Sequence, residues 1–315
     1  MPLDLAAERF LKRVNAARAG GGEPTLAALR QSLAQLAAFA APAPEVGRAD
    51  GVVETAGRRT RVRAYSPLLH PRESGDDRAA SPGFVYFHGG GLVAGGIDSH
   101  DAFCATLAEG AHCKIIAVDY ALAPENALPG PFDEALAAAR AILADPARFG
   151  LTPGRIGLAG DSAGGALAIH VALSLRGAAQ PAAALALICP ALSVEPLTPS
   201  RSALGTGHLL EETTLSAYWR IMQRPGLAPS DPMLSPLLNG DLAGLPRTVL
   251  HVAGFDPLRD EGARFAVKLA QAGVDVRFQE HAGMIHHFYG LGGVIPAARE
   301  AVADFCGAAG ELLPP

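Results

Sequence analysis

From about residue 83 onward the chain alternates between two patterns. Short strand-like runs, several of them continuously apolar, are separated by longer stretches with a helical pattern. The strand-like runs are Gly51–Thr55, Thr60–Tyr65, Gly83–Phe87, Lys114–Asp119, Arg155–Ala159, Ala184–Cys189, Arg247–Val252 and Val274–Glu280. The helical stretches are His100–Glu109, Pro131–Ala147, Ala163–Arg176, Asp260–Gln271 and Ala297–Ala309. A strand with no polar face must be covered on both sides, and intervening helices supply the cover. The pattern predicts an α/β fold with a mostly parallel, eight-stranded central sheet flanked by helices. The first two runs have no helix between them and are expected to form a hairpin at one edge.

The fifth run leads into "RIGLAGDSAGGALAIHVAL", residues 155–173. Gly160 and Gly164 flank Ser162 in a G-x-S-x-G pattern, between a buried strand and an apolar helix. A strand that turns at once into a helix strains the residue at the corner, and flanking glycines remove side-chain collisions there. The hydroxyl is lifted above the sheet, next to the free N–H groups of a helix start. A dinucleotide site is disfavoured, because no G-x-G-x-x-G opens this helix.

A serine hydroxyl is a weak nucleophile until a base takes its proton, and the base needs an orienting acid. Asp256 follows the seventh run in "VAGFDPLRDEG", and His286 follows the eighth in "HAGMIHHFYG". The order Ser162, Asp256, His286 is the order expected for this type of elbow. After the third run comes "FHGGGLVAGG" (87–96). Here backbone amides approach a substrate oxygen unobstructed, so Gly89, Gly90 and the N–H of Ala163 are the candidate oxyanion hole.

Composition removes other classes. The chain has 315 residues, is 49% hydrophobic and carries a net charge of −5, which leaves no electrostatic footprint for nucleic acid. No apolar run reaches the length of a membrane span. "MPLDLAAERFLKRV" carries Asp4 and Glu8 and has no apolar signal core, so a cytoplasmic location is expected. Cys104, Cys113, Cys189 and Cys306 are scattered without a C-x-x-C and read as reduced thiols. "APAPEVGRAD" (41–50) and "HPRESGDDRAASPG" (70–83) read as loops.

The motifs "HGGG" (88–91), "DYALAPE" (119–125), "GDSAGG" (160–165), "DPLRDEG" (256–262) and "GMIHHF" (283–288) resemble the hormone-sensitive-lipase family of α/β-hydrolases, also called bacterial esterase family IV. The resemblance covers nearly the whole chain. It implies a triad of Ser162, His286 and Asp256, an oxyanion hole at Gly89, Gly90 and Ala163, and hydrolysis of carboxylic esters with no cofactor and no metal. A short helical cap, read from two further segments, adds the expectation of short-chain esters. Ala121 stands where the family has Arg, His287 where it has Gly, and Leu92 where an aromatic residue is common.

Two segments interrupt the alternation. Residues 1–45 read as two helices (about 4–17 and 24–39), and residues 193–235 contain a helix at Glu211–Met222. Ligands of open α/β sheets bind beyond the carboxyl ends of the strands. Both segments are therefore expected to form a helical cap on one hydrolase domain spanning 1–315. Leu92 and Trp219 are candidates for the substrate pocket, with Tyr218 and Met222 beside them. Asp260 and Glu261 rival Asp256 but suit the start of a helix. Asp161 reads as a loop anchor, and His88 as a support of the oxyanion loop. His281, His286 and His287 mimic a metal cluster without the further ligands one needs. An amidase, such as an arylformamide hydrolase, shares the machinery. A small-molecule receptor is disfavoured by the presence of His286. Homodimerisation is left open.

Overall fold

The computed structural model describes residues 1–18, 23–55, 57–68 and 80–313. Eight strands form one sheet: β1 (Val46–Thr55), β2 (Arg58–Pro67), β3 (Ser81–Phe87), β4 (Lys114–Val118), β5 (Leu151–Asp161), β6 (Leu185–Ile188), β7 (Thr248–Phe255) and β8 (Val276–Ile285). Their order across the sheet is β1-β2-β4-β3-β5-β6-β7-β8. β2 runs antiparallel to both β1 and β4, and every other pairing is parallel. The expected edge hairpin is therefore present, and the class is α/β as the alternation requires.

Helices cover both faces. On one side α3 (Asp101–Gly110) and α9 (Ala297–Leu312) pack with Phe84, Tyr86, Ile115 and Phe305 in a single buried cluster. On the other, α4 (Gly130–Ala144), α5 (Ala163–Ser174) and α8 (Arg259–Gln271) pack with Val85, Phe87, Ile116 and Leu158. Alternate residues of β3 thus feed opposite cores, as the two-residue period of a strand dictates. β6 and β7 are buried almost throughout, whereas β1 and β8 expose much of their length at the edges.

The early boundaries differ from the sequence reading. Val46–Asp50 lies inside β1, paired with Arg63–Pro67, and is not a loop. Its charged residues are tolerated because an edge strand faces water: Asp50 pairs with Arg63 at 2.6 Å and Arg48 with Asp101 at 3.2 Å. Most of the predicted loop at 70–83 lies outside the described residues, and its end, from Ser81, belongs to β3. α4 stops at Ala144, before Pro146 opens a separate 3₁₀ turn.

Outside the sheet layers lie α1 (Leu5–Arg18), α2 (Leu26–Leu36), α6 (Pro199–Leu204) and α7 (Glu212–Met222). α1 is anchored by Phe10 and Leu11 in the first core, and Asp4 caps it by accepting the amides of Ala6 and Ala7 at 2.8 and 3.0 Å. Leu29 of α2 and Ala217 of α7 meet in a small third cluster with Val93, Ala94 and Ala123.

Candidate active site

Four strand ends converge at one edge of the sheet. Ser162 is the first residue beyond β5 and adopts φ 49°, ψ −122°. That conformation is strained for a residue with a Cβ, and the surroundings fix it. Ser162 N–H donates to the carbonyl of Ile188 (3.2 Å), and its carbonyl accepts the amides of Gly165 (3.0 Å) and Ala191 (2.9 Å). A Cβ on Gly164 would strike the carbonyl of Phe87 on β3. Glycine here allows the elbow to sit directly against the neighbouring strand.

Asp256 and His286 follow β7 and β8. Nδ1 of His286 lies 2.7 Å from Oδ2 of Asp256, whose other oxygen accepts the amide of Leu258 at 2.9 Å. The aspartate is wholly buried, whereas His286 reaches the cavity that Ser162 also lines. No hydrogen bond joins Ser162 and His286 among the described residues. Such links are often loose without substrate and tighten in the complex. Cys189 Sγ, Asp256 and His286 offer ligand atoms within 4.8 Å of one another, but the last two are already bonded to each other.

The oxyanion loop corrects one expectation. The amide of Gly89 donates to Oδ1 of Asp161 at 2.8 Å, so it is engaged below the site and not free for a substrate oxygen. Gly90 and Gly91 line the cavity instead. Among the described residues, neither their N–H groups nor that of Ala163 have an internal partner. Gly90, Gly91 and Leu92 have φ values of 113°, 63° and 63°. Successive residues of this kind turn their amides into a concavity suited to negative charge. The candidate set that this geometry brings together is Ser162, Asp256, His286, Gly90, Gly91 and Ala163.

Asp161 anchors the loop as expected, and more fully. It also accepts hydrogen bonds from the hydroxyls of Tyr86 and Tyr289, the latter at 2.6 Å, and His100 Nε2 stands 3.4 Å away. Burial raises its pKa, but these donors outweigh burial and hold it well below the usual carboxylate range. His88 bonds its own loop through Nδ1 and the Gly89 carbonyl at 2.7 Å and stacks on Tyr120.

His281, His286 and His287 do not converge. His281 Nε2 is 2.9 Å from His251 Nδ1, and His287 packs edge-on against His100 and Tyr289. His287 has φ 65°, which explains why glycine suits that position. Burial, and then His100, push its pKa down to about 3.

Two ion networks, one buried and one reaching the surface, escaped the sequence reading. Glu261 opens α8 but does more than face the helix dipole. Its Oε2 accepts the amides of Leu192 and Ser193 (both 3.0 Å), and its Oε1 meets Arg201 Nη1 at 3.1 Å. Beside Ala121, Glu134 accepts that residue's amide (3.1 Å) and pairs with Arg58 from β2 (3.1 Å), so a charge network is present without an arginine at 121.

Two cavities meet at Ser162. The larger, about 640 Å³, runs between α1, α2, α7 and the loops that follow β3, β5 and β8. The smaller, about 70 Å³, is lined by Leu92, Phe132, Ala166, Trp219, Met222 and Leu234 among others. Leu92 and Trp219 therefore both face the space beside the serine.

The sheet order, the elbow after β5 and the loops after β3, β7 and β8 define an α/β hydrolase. The alpha/beta hydrolase fold family model matches residues 84–290, and the chain belongs to that family, within its hormone-sensitive-lipase branch. It is 35% identical to Esterase LipI of Mycobacterium tuberculosis over 261 residues, covering 82% of this chain and 80% of that protein. It is 33% identical to Ethyl acetate hydrolase of Pseudomonas putida over 309 residues, covering 95% of each. Among solved structures, an ester hydrolase from the metagenome of Lake Arreo, in complex with a bipyridine phosphonate derivative, superposes with a TM-score of 0.90 at 33% identity, covering 98% of both chains.

Proposed function

We propose that the protein hydrolyses short-chain carboxylic esters through an acyl-enzyme on Ser162. It is a carboxylic ester hydrolase, in keeping with relatives named as esterases and carboxylesterases. The observation that carries the mechanism is the 2.7 Å His286–Asp256 bond beside a strained serine on the same cavity.

Ser162 attacks the ester carbonyl while His286 takes its proton. The developing oxyanion is held by the free amides of Gly90, Gly91 and Ala163. His286 then protonates the leaving alcohol and activates the water that releases the acid. Asp256 fixes the imidazole tautomer and stabilises the imidazolium. Every step runs on side chains and amides of one chain, so a second copy is not needed to complete the site.

The segments 1–45 and 193–235 act as the cap. α2 and α7 wall the larger cavity with Leu29, Leu33 and Tyr218, and α7 closes the smaller with Trp219 and Met222. The small apolar cavity takes the acyl chain, and the wide one takes the alcohol. Each buried methylene contributes up to about 0.8 kcal/mol until the small space is full. The four free, buried cysteines suit a cytoplasmic location. The amide and receptor readings have no observation in their favour.

A series of p-nitrophenyl esters from acetate to palmitate tests the reading. kcat/KM is expected to peak between acetate and hexanoate. A maximum at dodecanoate or longer would overturn it.

A further inference from the structure

α2 lends Ala28, Leu29, Ser32, Leu33 and Leu36 to the wall of the large cavity. Arg30 is not part of that wall and reaches instead to the turn that follows the glycines. Its Nε donates to the carbonyl of Val93 at 2.8 Å, and Nη2 to the carbonyl of Ala123 at 3.3 Å. Nη1 and Nη2 grip both oxygens of Glu125 at 2.8 and 2.7 Å. One guanidinium thus ties a helix of the cap to two separate loops of the hydrolase core.

The tie leads straight to the oxyanion donors. The amides of Val93 and Ala94 both donate to the carbonyl of Gly90, at 3.2 and 3.0 Å. A Cβ on Gly90 would lie 2.9 Å from Cδ2 of Leu33, one helical turn from Arg30. Leu33 therefore packs on the start of the turn while Arg30 holds its far side. Between them lie the left-handed residues Gly90, Gly91 and Leu92, which have no regular secondary structure to keep them in place. Donors to an oxyanion act only if held in advance at the right distance, and a shift of about 0.5 Å matters.

We propose that Arg30 is a positioning residue for the oxyanion hole: it latches α2 to the Gly90–Ala94 turn and so couples the cap to stabilisation of the transition state. This rests on the reading of Gly90 and Gly91 as oxyanion donors. Arg30 touches no substrate and moves no proton. Its pairing with Glu125, whose carboxyl it pulls down to about 2, persists across any ordinary assay pH. Loss of the latch therefore lowers the plateau of the pH–rate profile and leaves its acid limb in place.

The test compares Arg30→Ala, Glu125→Gln and Ser162→Ala on p-nitrophenyl butyrate, with thermal midpoints measured in parallel. R30A is expected to lose about 10- to 100-fold in kcat, less than deletion of a whole oxyanion donor, with KM changed by less than about threefold. Its rate of inactivation by an alkyl phosphonate, which places an anionic oxygen in the same hole, should fall in step. E125Q keeps the bonds to Val93 and Ala123 and should retain near wild-type kcat. If R30A does not fold, Arg30→Lys gives the same readout, since lysine keeps the charge but lacks the planar fork. A folded R30A with kcat within about threefold of wild type, while S162A is inactive, would sink the latch alone. An active S162A would instead bring down the reading of the site on which the latch rests.

Discussion

Gly89 donates its amide proton to Asp161, and that bond sorts the three glycines of the loop. Gly89 is pinned to the carboxylate beneath the site, whereas Gly90 and Gly91 stay free at the cavity wall. The three should respond differently to a methyl group. In Gly91→Ala the new carbon meets the ring of Tyr218 at φ 63°, and kcat should fall about 100-fold or more. Gly89→Ala drives a methyl group against Asp161 and should appear first as a lower thermal midpoint. Steady-state kinetics with parallel calorimetry separates the two. Equal kcat in Gly91→Ala and wild type would remove Gly91 from the oxyanion hole.

The base should be His286 and not its neighbour. His286→Ala is expected to lose about 10⁴-fold in kcat, as serine triads do. His287→Gly places glycine at φ 65° and should retain at least about a tenth of the activity. The reverse ranking would show that the imidazole on Asp256 is not the working one.

Acid should destabilise the fold through histidines that cannot charge. His88, His251 and His287 are each pushed down to about 3, chiefly by burial and then by a neighbouring histidine. In the unfolded chain they take up protons near the ordinary value of 6.5. Between these limits the unfolded state binds more protons, so stability is full above about 6.5 and falls as the pH drops toward 3. Each contributes a slope of up to about 1.4 kcal/mol per pH unit, or about 4 for the three. Urea unfolding from pH 7 to 4.5 measures it, and His287→Gly should remove about a third of the slope. A pH-independent midpoint would show that these rings are solvated.

Glu261→Ala should be among the most damaging changes outside the site. It leaves Arg201, with only 3% of its surface exposed, with Glu212 as its remaining carboxylate partner beside the Ser193 carbonyl, and frees two buried amides. The expected loss is about 3 kcal/mol, read from denaturant unfolding. A loss below about 1 kcal/mol would mean that Arg201 finds water instead.

Much of this was written locally in the chain. Continuous apolar runs marked the central strands because both of their faces are covered, and the elbow announced itself through Gly160 and Gly164. The pattern weakened where one face meets water. Val46–Asp50 carries charges that suit an edge strand and look like a loop in isolation. α6, six residues that begin with Pro199, is too short to show a helical period. Adjacent glycines are identical in sequence, and only the hydrogen bond from Gly89 distinguishes it from Gly91. Arg30 and Glu125 are 95 residues apart, and Arg201 and Glu261 are 60, so nothing near either arginine names its partner.

β3 and β5 are neighbours at the centre of the sheet, with Phe87 opposite Gly160, whereas Asp256 and His286 hang from β7 and β8 beyond the four-residue β6. In the proposed mechanism, recognition of a carbonyl and traffic in protons are therefore lodged in different territories of one sheet. On that mechanism, damage to the outer territory should silence turnover and leave the grip on a carbonyl compound in place.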